Sequence, residues 1–379
     1  MNYMKRIPII DFVRFGSILI VIAGHFFPRW FIQTIKSTTI NHSILNFLNN
    51  GVYGVIYFFV VSGFLITQIL TENSRDFSNV DLRSFYVKRA ARILPLLSAV
   101  VFISYFLSQS QTLLDSRIQQ YHVWDNASGF GWLFWFSIVT FNFNWYLIAH
   151  YAGVGFQWRI FWSLAVEEQF YFCYPFIIKS LRCRKNVFSF LTIVVLFALI
   201  FRYGAFLYNN GTLMQLGSFS AFDQIAIGGI LFLFNEKFGY WFKARQKISL
   251  GIIMIGIASC CYLSCTTSVF NEKQLIYVPT LLATSCALVI LGGLHVPALF
   301  SRVAQILSWP GKLSYGSYLW HTTIIFLLMP ALFLLGGVWG SIFLISATTF
   351  FAFLSYKYFE VPINHWIRSR FNLKPSSSE

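Results

Sequence analysis

Apolar residues run along this chain in long uninterrupted blocks, separated by short polar or basic stretches. Blocks of roughly 20 residues match the length an α-helix needs to cross a hydrocarbon layer, at ~1.5 Å per residue. Ten such blocks are read, near residues 7–27, 51–71, 93–110, 161–181, 187–207, 219–235, 248–268, 274–293, 314–335 and 339–359. The pattern predicts an all-α polytopic membrane protein of about ten transmembrane helices. The stretch 130–148 is also apolar, but counting it as a crossing would put the loop bearing Arg182, Arg184 and Lys185 on the wrong side. Residues 111–160 are therefore expected at the outer face, with 130–148 as a re-entrant or interfacial aromatic segment whose non-helical backbone is shielded by protein. Residues 1–371 form a single transmembrane domain in this reading, and 372–379 a disordered tail.

Composition agrees: the 379 residues are 57% hydrophobic and 11% charged. A net charge of +15 would suit a nucleic-acid partner if the basic residues formed one patch. Instead they cluster between spans, at Lys5 and Arg6, at Arg83, Lys88, Arg89 and Arg92, at 179–185, at 237–247, at Arg302 and Lys312, and at 357–374. All fall on one side if both termini are cytoplasmic, which is the positive-inside pattern. This places the chain in a membrane, in contact with lipid, and makes nucleic acid a poor reading. The first block is full-length, with no small-residue cleavage site after it, so it is expected as a retained helix. The six cysteines show no paired CxxC motif and no His at zinc spacing, so reduced thiols and no metal site are expected.

The candidate chemistry lies in ionisable residues within the apolar blocks. In IIDFVRFGSILIVIAGH, Arg14 and His25 differ by only about 20° in azimuth on a helix, with Asp11 within roughly 60° of both. Such a stripe in lipid marks a wet cavity, a pathway or a catalytic site. A neutral imidazole there can take a proton from a hydroxyl, and Arg14 could hold an anionic donor. The plain alternative is an interhelical hydrogen bond without chemistry. In YVKRAARILP, Lys88, Arg89 and Arg92 could clamp phosphates or simply anchor the helix at lipid headgroups. In FWSLAVEEQFYFCYP, Glu167 and Glu168 could orient a histidine or bind acceptor hydroxyls, or form a structural ion pair. In GVYGVIYFFVVSGFLIT, the small residues Gly51, Gly54, Ser62 and Gly63 are read mainly as packing contacts. LSYGSYLWH brings Ser314, Tyr315, Tyr318 and a second candidate base, His321, while SYKYFEVP ends on Glu360 and Pro362; Asp223 is expected to pair with a neighbour. Membrane His and Glu would also serve a proton-coupled secondary transporter, which should show two related halves with broken helices; none are evident in the sequence.

Taken in order, these stretches resemble the acyltransferase-3 family of multi-spanning enzymes, which move acyl groups from acyl-coenzyme A onto hydroxyls of carbohydrates and related acceptors. The carriers are Asp11, Arg14 and His25; FFVVSGFLI with Ser62 and Gly63; KRAARILP with Arg89, Arg92 and Pro95; WSLAVEEQFY with Ser163, Glu167 and Glu168; LSYGSYLWH; and FEVP. The resemblance implies catalytic roles for His25, Glu167 and Glu168. It implies donor or substrate contacts for Asp11, Arg14, Ser62, Lys88, Arg89, Arg92, Ser163, Tyr318 and His321. It implies acetyl-coenzyme A as donor substrate, no permanently bound cofactor, and a surface glycan or lipid-linked sugar as acceptor, such as lipopolysaccharide O-antigen. A macrolide-like acceptor or a succinyl donor stays open. The chain departs from the family pattern at Ile160, where a His is frequent, at Ala221, where an Arg commonly precedes the Asp, and at Lys88, a frequent Arg. The SGNH hydrolase-like domain of many relatives is not expected here, which would leave transfer to the membrane domain or to a separate partner.

Overall fold

The computed structural model describes residues 7–34, 46–47, 50–71, 77, 80–109, 131–296, 310–335 and 337–371. Among them there is no strand, and ten helices have 17 or more residues: α1 (Pro8–Thr34), α2 (Val52–Thr71), α3 (Leu82–Gln109), α7 (Phe161–Leu181), α8 (Arg184–Leu207), α10 (Ser218–Lys243), α11 (Gln246–Thr266), α13 (Val278–Leu294), α14 (Ser314–Leu335) and α15 (Gly337–Ser355). Each coincides with one apolar block of the sequence. Seven stretches of the described residues are helical, long and apolar enough to cross a membrane; α7, α13 and α14 are not among them, α13 because it has only 17 residues. The protein is all-α and multi-pass. The tail 372–379, Arg302 and the outer stretch 111–130 lie outside the described residues.

Between α3 and α7 lie three short helices, α4 (Trp132–Val139), α5 (Phe143–Ala149) and α6 (Phe156–Arg159). The break between α4 and α5 falls at Phe141, whose φ of 55° ends the first helix without a glycine. Eight residues give α4 a length of about 12 Å, so neither arm crosses a bilayer. The tip nevertheless reaches into the bundle. Gln169 Nε2 donates to Phe141 O at 2.6 Å and to Asn144 Oδ1 at 2.9 Å, and Ser218 donates to Gln169 Oε1. Gln169 sits eight residues into α7, roughly 12 Å along it. The aromatic segment therefore dips and returns, with its tip carbonyl satisfied by a side chain rather than exposed to lipid.

Helix α2 is buried on almost every face. It packs on α10 through facing glycines: a Cβ at Gly63 would lie 1.8 Å from Ile225 O, and one at Gly228 would lie 2.0 Å from Val60 O. Only two residues without side chains allow that approach, which replaces the missing hydrophobic drive with close van der Waals contact. On its other side Gly54 meets Ser17 and Val21 of α1. Helix α1 is also packed against α14 and α15, so the polar stripe of α1 faces protein. Helix α15 continues through a π-turn (Tyr356–Glu360) into α16 (Val361–Arg370), which packs on α3.

Candidate active site

The polar residues collect in two layers strung along α1. Eleven residues separate Arg14 from His25, which is about 16 Å of helix. At the His25 level, His25 Nδ1 lies 2.9 Å from Val21 O and 3.2 Å from His321 Nε2 of α14. The Phe156 ring of α6 stands edge-on to His25, centroids 5.0 Å apart. His321 is fully buried, and its Nδ1 lies 2.5 Å from Tyr318 O. One turn earlier on α14, the Tyr318 hydroxyl donates to Ile160 O at 2.9 Å and lies 2.5 Å from Ser163 Oγ. Ser163 Oγ also reaches the same carbonyl at 3.3 Å, so two hydroxyl hydrogens serve three contacts and either hydroxyl can donate to the other. Together Ser163 and Tyr318 pin α14 to the start of α7.

The second layer is built on Arg89. Its Nε donates to both oxygens of Glu168, at 2.9 and 3.1 Å, and its Nη2 donates to Glu168 Oε1 at 2.5 Å and Glu167 Oε1 at 3.1 Å. Ser62 Oγ donates to Glu167 Oε1 at 2.6 Å. The guanidinium lies over the Tyr171 ring, 3.4 Å from its centroid, where the π-face favours a cation. Arg14 is half-buried and within electrostatic reach of Asp11, Glu167, Tyr171 and Arg92. Arg92 acts in turn on Glu168, Tyr315 and Glu360. Among the described residues neither Arg14 nor Arg92 makes a hydrogen bond or ion pair, whereas Arg89 is held by both carboxylates through Nε and Nη2. Lys88 is exposed and joined to the cluster by neither kind of contact.

The structure thus separates groups the sequence placed together. The carboxylates Glu167 and Glu168 pair with Arg89 rather than with the imidazole, and the ring meeting His25 is His321. The cause is depth: α3 begins at Leu82, eleven residues before the apolar block at 93, so it carries Arg89 two turns in, level with the Glu pair. Two partly buried carboxylates take the nearest cation because an unpaired charge there is far costlier.

Residues 7–357 match the model of the Acyl_transf_3 family, described as an acyltransferase domain. The chain belongs to this family. Among its relatives, the peptidoglycan O-acetyltransferase OatA of Listeria monocytogenes is 27% identical over 95% of the chain, and the O-acetyltransferase OatA of Staphylococcus aureus is 26% identical over 86%. These alignments take in 56% and 54% of the relatives, so the chain spans about half their length. No solved structure matches.

With Ala221 two residues before it, Asp223 takes its cation from another helix. Arg202, from α8, donates to both oxygens of Asp223 at 3.1 and 2.9 Å, and also to Ser220 O, Thr280 Oγ1 and Ile276 O. Both partners are fully buried. Sequence reading missed Arg202, Tyr171 and Gln157. Tyr171 sits one turn beyond the Glu pair on α7, a spacing that could have flagged it. Gln157, on α6 beside Phe156, is 2% exposed, and neither of its amide atoms has a hydrogen-bond partner. No sequence signal marks it.

Proposed function

We propose that this chain is a membrane O-acyltransferase that moves an acetyl group from acetyl-coenzyme A, at the cytoplasmic face, to a hydroxyl of a cell-envelope glycan. The observation that carries this reading is the layout along α1: Arg14 and Arg92, cations without an ion partner, at one level, and an imidazole pair about 16 Å away at the other. Phosphates of a nucleotide donor suit the free guanidinium groups. An extended pantetheine arm has the reach to carry its thioester from there toward His25. His25 then acts as general base toward the acceptor hydroxyl, or as nucleophile of a short-lived acyl-imidazole. Arg89, Glu167, Glu168 and Ser62 form the ion-paired wall of the Arg14 layer, and Arg89 is assigned to that wall rather than to the phosphates because the two carboxylates already hold its Nε and Nη2. With both termini cytoplasmic, in a bacterial inner membrane, the Arg14 level faces the donor pool and the His25 level the acceptor.

The acceptor class follows from the relatives, one of which is named for peptidoglycan. Lipopolysaccharide O-antigen, the expectation from sequence, is the narrower form of the same chemistry, a sugar hydroxyl at the cell surface. The test is mass spectrometry of peptidoglycan and surface polysaccharide from cells with and without the gene, and with H25A. Acetyl groups should vanish from one glycan in both mutants while the protein stays in the membrane. Unchanged acetylation in every glycan fraction, with H25A protein present at normal level, would overturn the proposal. Donor binding is read separately: replacing Arg14 and Arg92 should raise the KM for acetyl-coenzyme A, and an unchanged KM returns both to a lipid-anchoring role.

A further inference from the structure

The contact between His25 and His321 fixes which nitrogen of each ring holds the proton. A backbone carbonyl only accepts, so His321 Nδ1, 2.5 Å from Tyr318 O, carries the hydrogen. The neutral ring therefore presents Nε2 as a lone pair. His25 Nδ1 faces two acceptors, Val21 O at 2.9 Å and that lone pair at 3.2 Å, so it carries the hydrogen of its own ring. The lone pair of His25 is then on Nε2. A protonated His321 would set one N–H against another, and a His25 carrying its proton on Nε2 would set lone pairs against Val21 O and against His321. With both rings neutral, only one pair of tautomers satisfies these three contacts.

We propose that His321 is a positioning residue: it holds His25 as the Nδ1–H tautomer, so that Nε2 is the reacting atom, and its lone pair receives the Nδ1–H as His25 becomes charged. This rests on the acyl-transfer reading above and deepens it. In the transfer, the acceptor O–H gives its proton to His25 Nε2 while the oxygen bonds to the acyl carbon. The carbon–sulfur bond then breaks, and the departing coenzyme A thiolate takes the proton from Nε2. An ester and a free thiol result, and His321 exchanges no proton. What keeps His321 in place is the pin already described: Tyr318, one turn earlier, is bound to Ile160 and Ser163 of the α7 start, so α7, α14 and α1 form one support behind the imidazole. The arrangement parallels the second-layer orientation of a base in hydrolytic triads, with an imidazole acceptor in place of a carboxylate.

The test uses the full-length protein in detergent or proteoliposomes, with acetyl-coenzyme A and the glycan acceptor, comparing wild type with H25A, H321L and H321Q. Leu removes the acceptor, whereas the Gln Oε1 falls near the position of Nε2 and retains it. H321L should lower kcat by about 100-fold with the KM for acetyl-coenzyme A unchanged, and H321Q should recover most of that loss. H321L within threefold of wild type, or H321Q as impaired as H321L, overturns the proposal. Should H321L fail to accumulate, 15N spectra of ring-labelled wild-type histidines decide: Nδ1 protonated and Nε2 unprotonated at His25 supports it, the reverse pattern overturns it. H25A separates the two readings. Full activity in H25A sinks the transfer mechanism itself, whereas an inactive H25A beside a fully active H321L sinks only the role of His321.

Discussion

Removing Arg89 is the sharpest perturbation the structure offers. In R89L, Glu167 and Glu168 remain with side-chain exposures of 22% and 13%, and their ion partner is gone. Four donor contacts from one guanidinium are lost, three of them on Glu168. Ser62 still serves one oxygen of Glu167, but Glu168 loses its strongest support. Breaking a largely buried pair from one side costs about 3–5 kcal/mol, because the carboxylate left behind is desolvated without compensation. The cost should shrink when the stranded charge is removed as well: R89L/E168Q is expected to regain at least ~2 kcal/mol relative to the sum of the single substitutions. The assay is chemical or thermal unfolding of the purified protein in detergent, run as a double-mutant cycle. R89L as stable as wild type, or strictly additive effects in the double variant, would show that the pair is not the buried ionic unit described. Acetyl-coenzyme A affinity belongs in the same experiment, since the pairing of Arg89 with both carboxylates predicts that R89K weakens donor binding less than R92A does.

Three other outcomes follow from individual contacts. G63A puts a Cβ where Ile225 O lies, 1.8 Å away, and should cost about 3 kcal/mol or prevent accumulation, which membrane-fraction yield and unfolding would show; a neutral G63A would contradict the α2–α10 packing. Q157L replaces a buried amide that has no hydrogen-bond partner, so it should gain about 1 kcal/mol of stability while lowering turnover if the amide meets substrate; lost stability would assign it a structural bond instead. His295, just past the end of α13, is held below its ordinary value of 6.5 by burial and then by the Lys243 charge, while its Nε2 lies 2.7 Å from Asn235 Oδ1. The unfolded chain therefore takes up the proton first, so stability is complete above about pH 6.5 and declines as the pH falls through the lowered native value. H295Q should flatten the unfolding profile below about pH 6.5, and an unchanged slope would remove His295 from that dependence.

What the sequence determined by itself is local and one-dimensional. Block length and the 3.6-residue period are properties of contiguous residues, so the ten long helices, the all-helical class and the common face of Asp11, Arg14 and His25 could be read directly. That the aromatic segment is not one crossing helix was legible too, from the bookkeeping of basic loops, and the turn at Phe141 now has a named partner in Gln169. The pairings were not legible. Arg89 with Glu168, His25 with His321, and Arg202 with Asp223 are 79, 296 and 21 residues apart, each joining two helices whose rotation and relative depth no single apolar run encodes. The eleven residues by which α3 begins ahead of its apolar block put Arg89 inside the helix, level with the carboxylates. Only the packing of the bundle decided which cations are consumed by acids and which stand open, because burial makes every charge find its nearest counter-charge and leaves chemistry to the groups that remain.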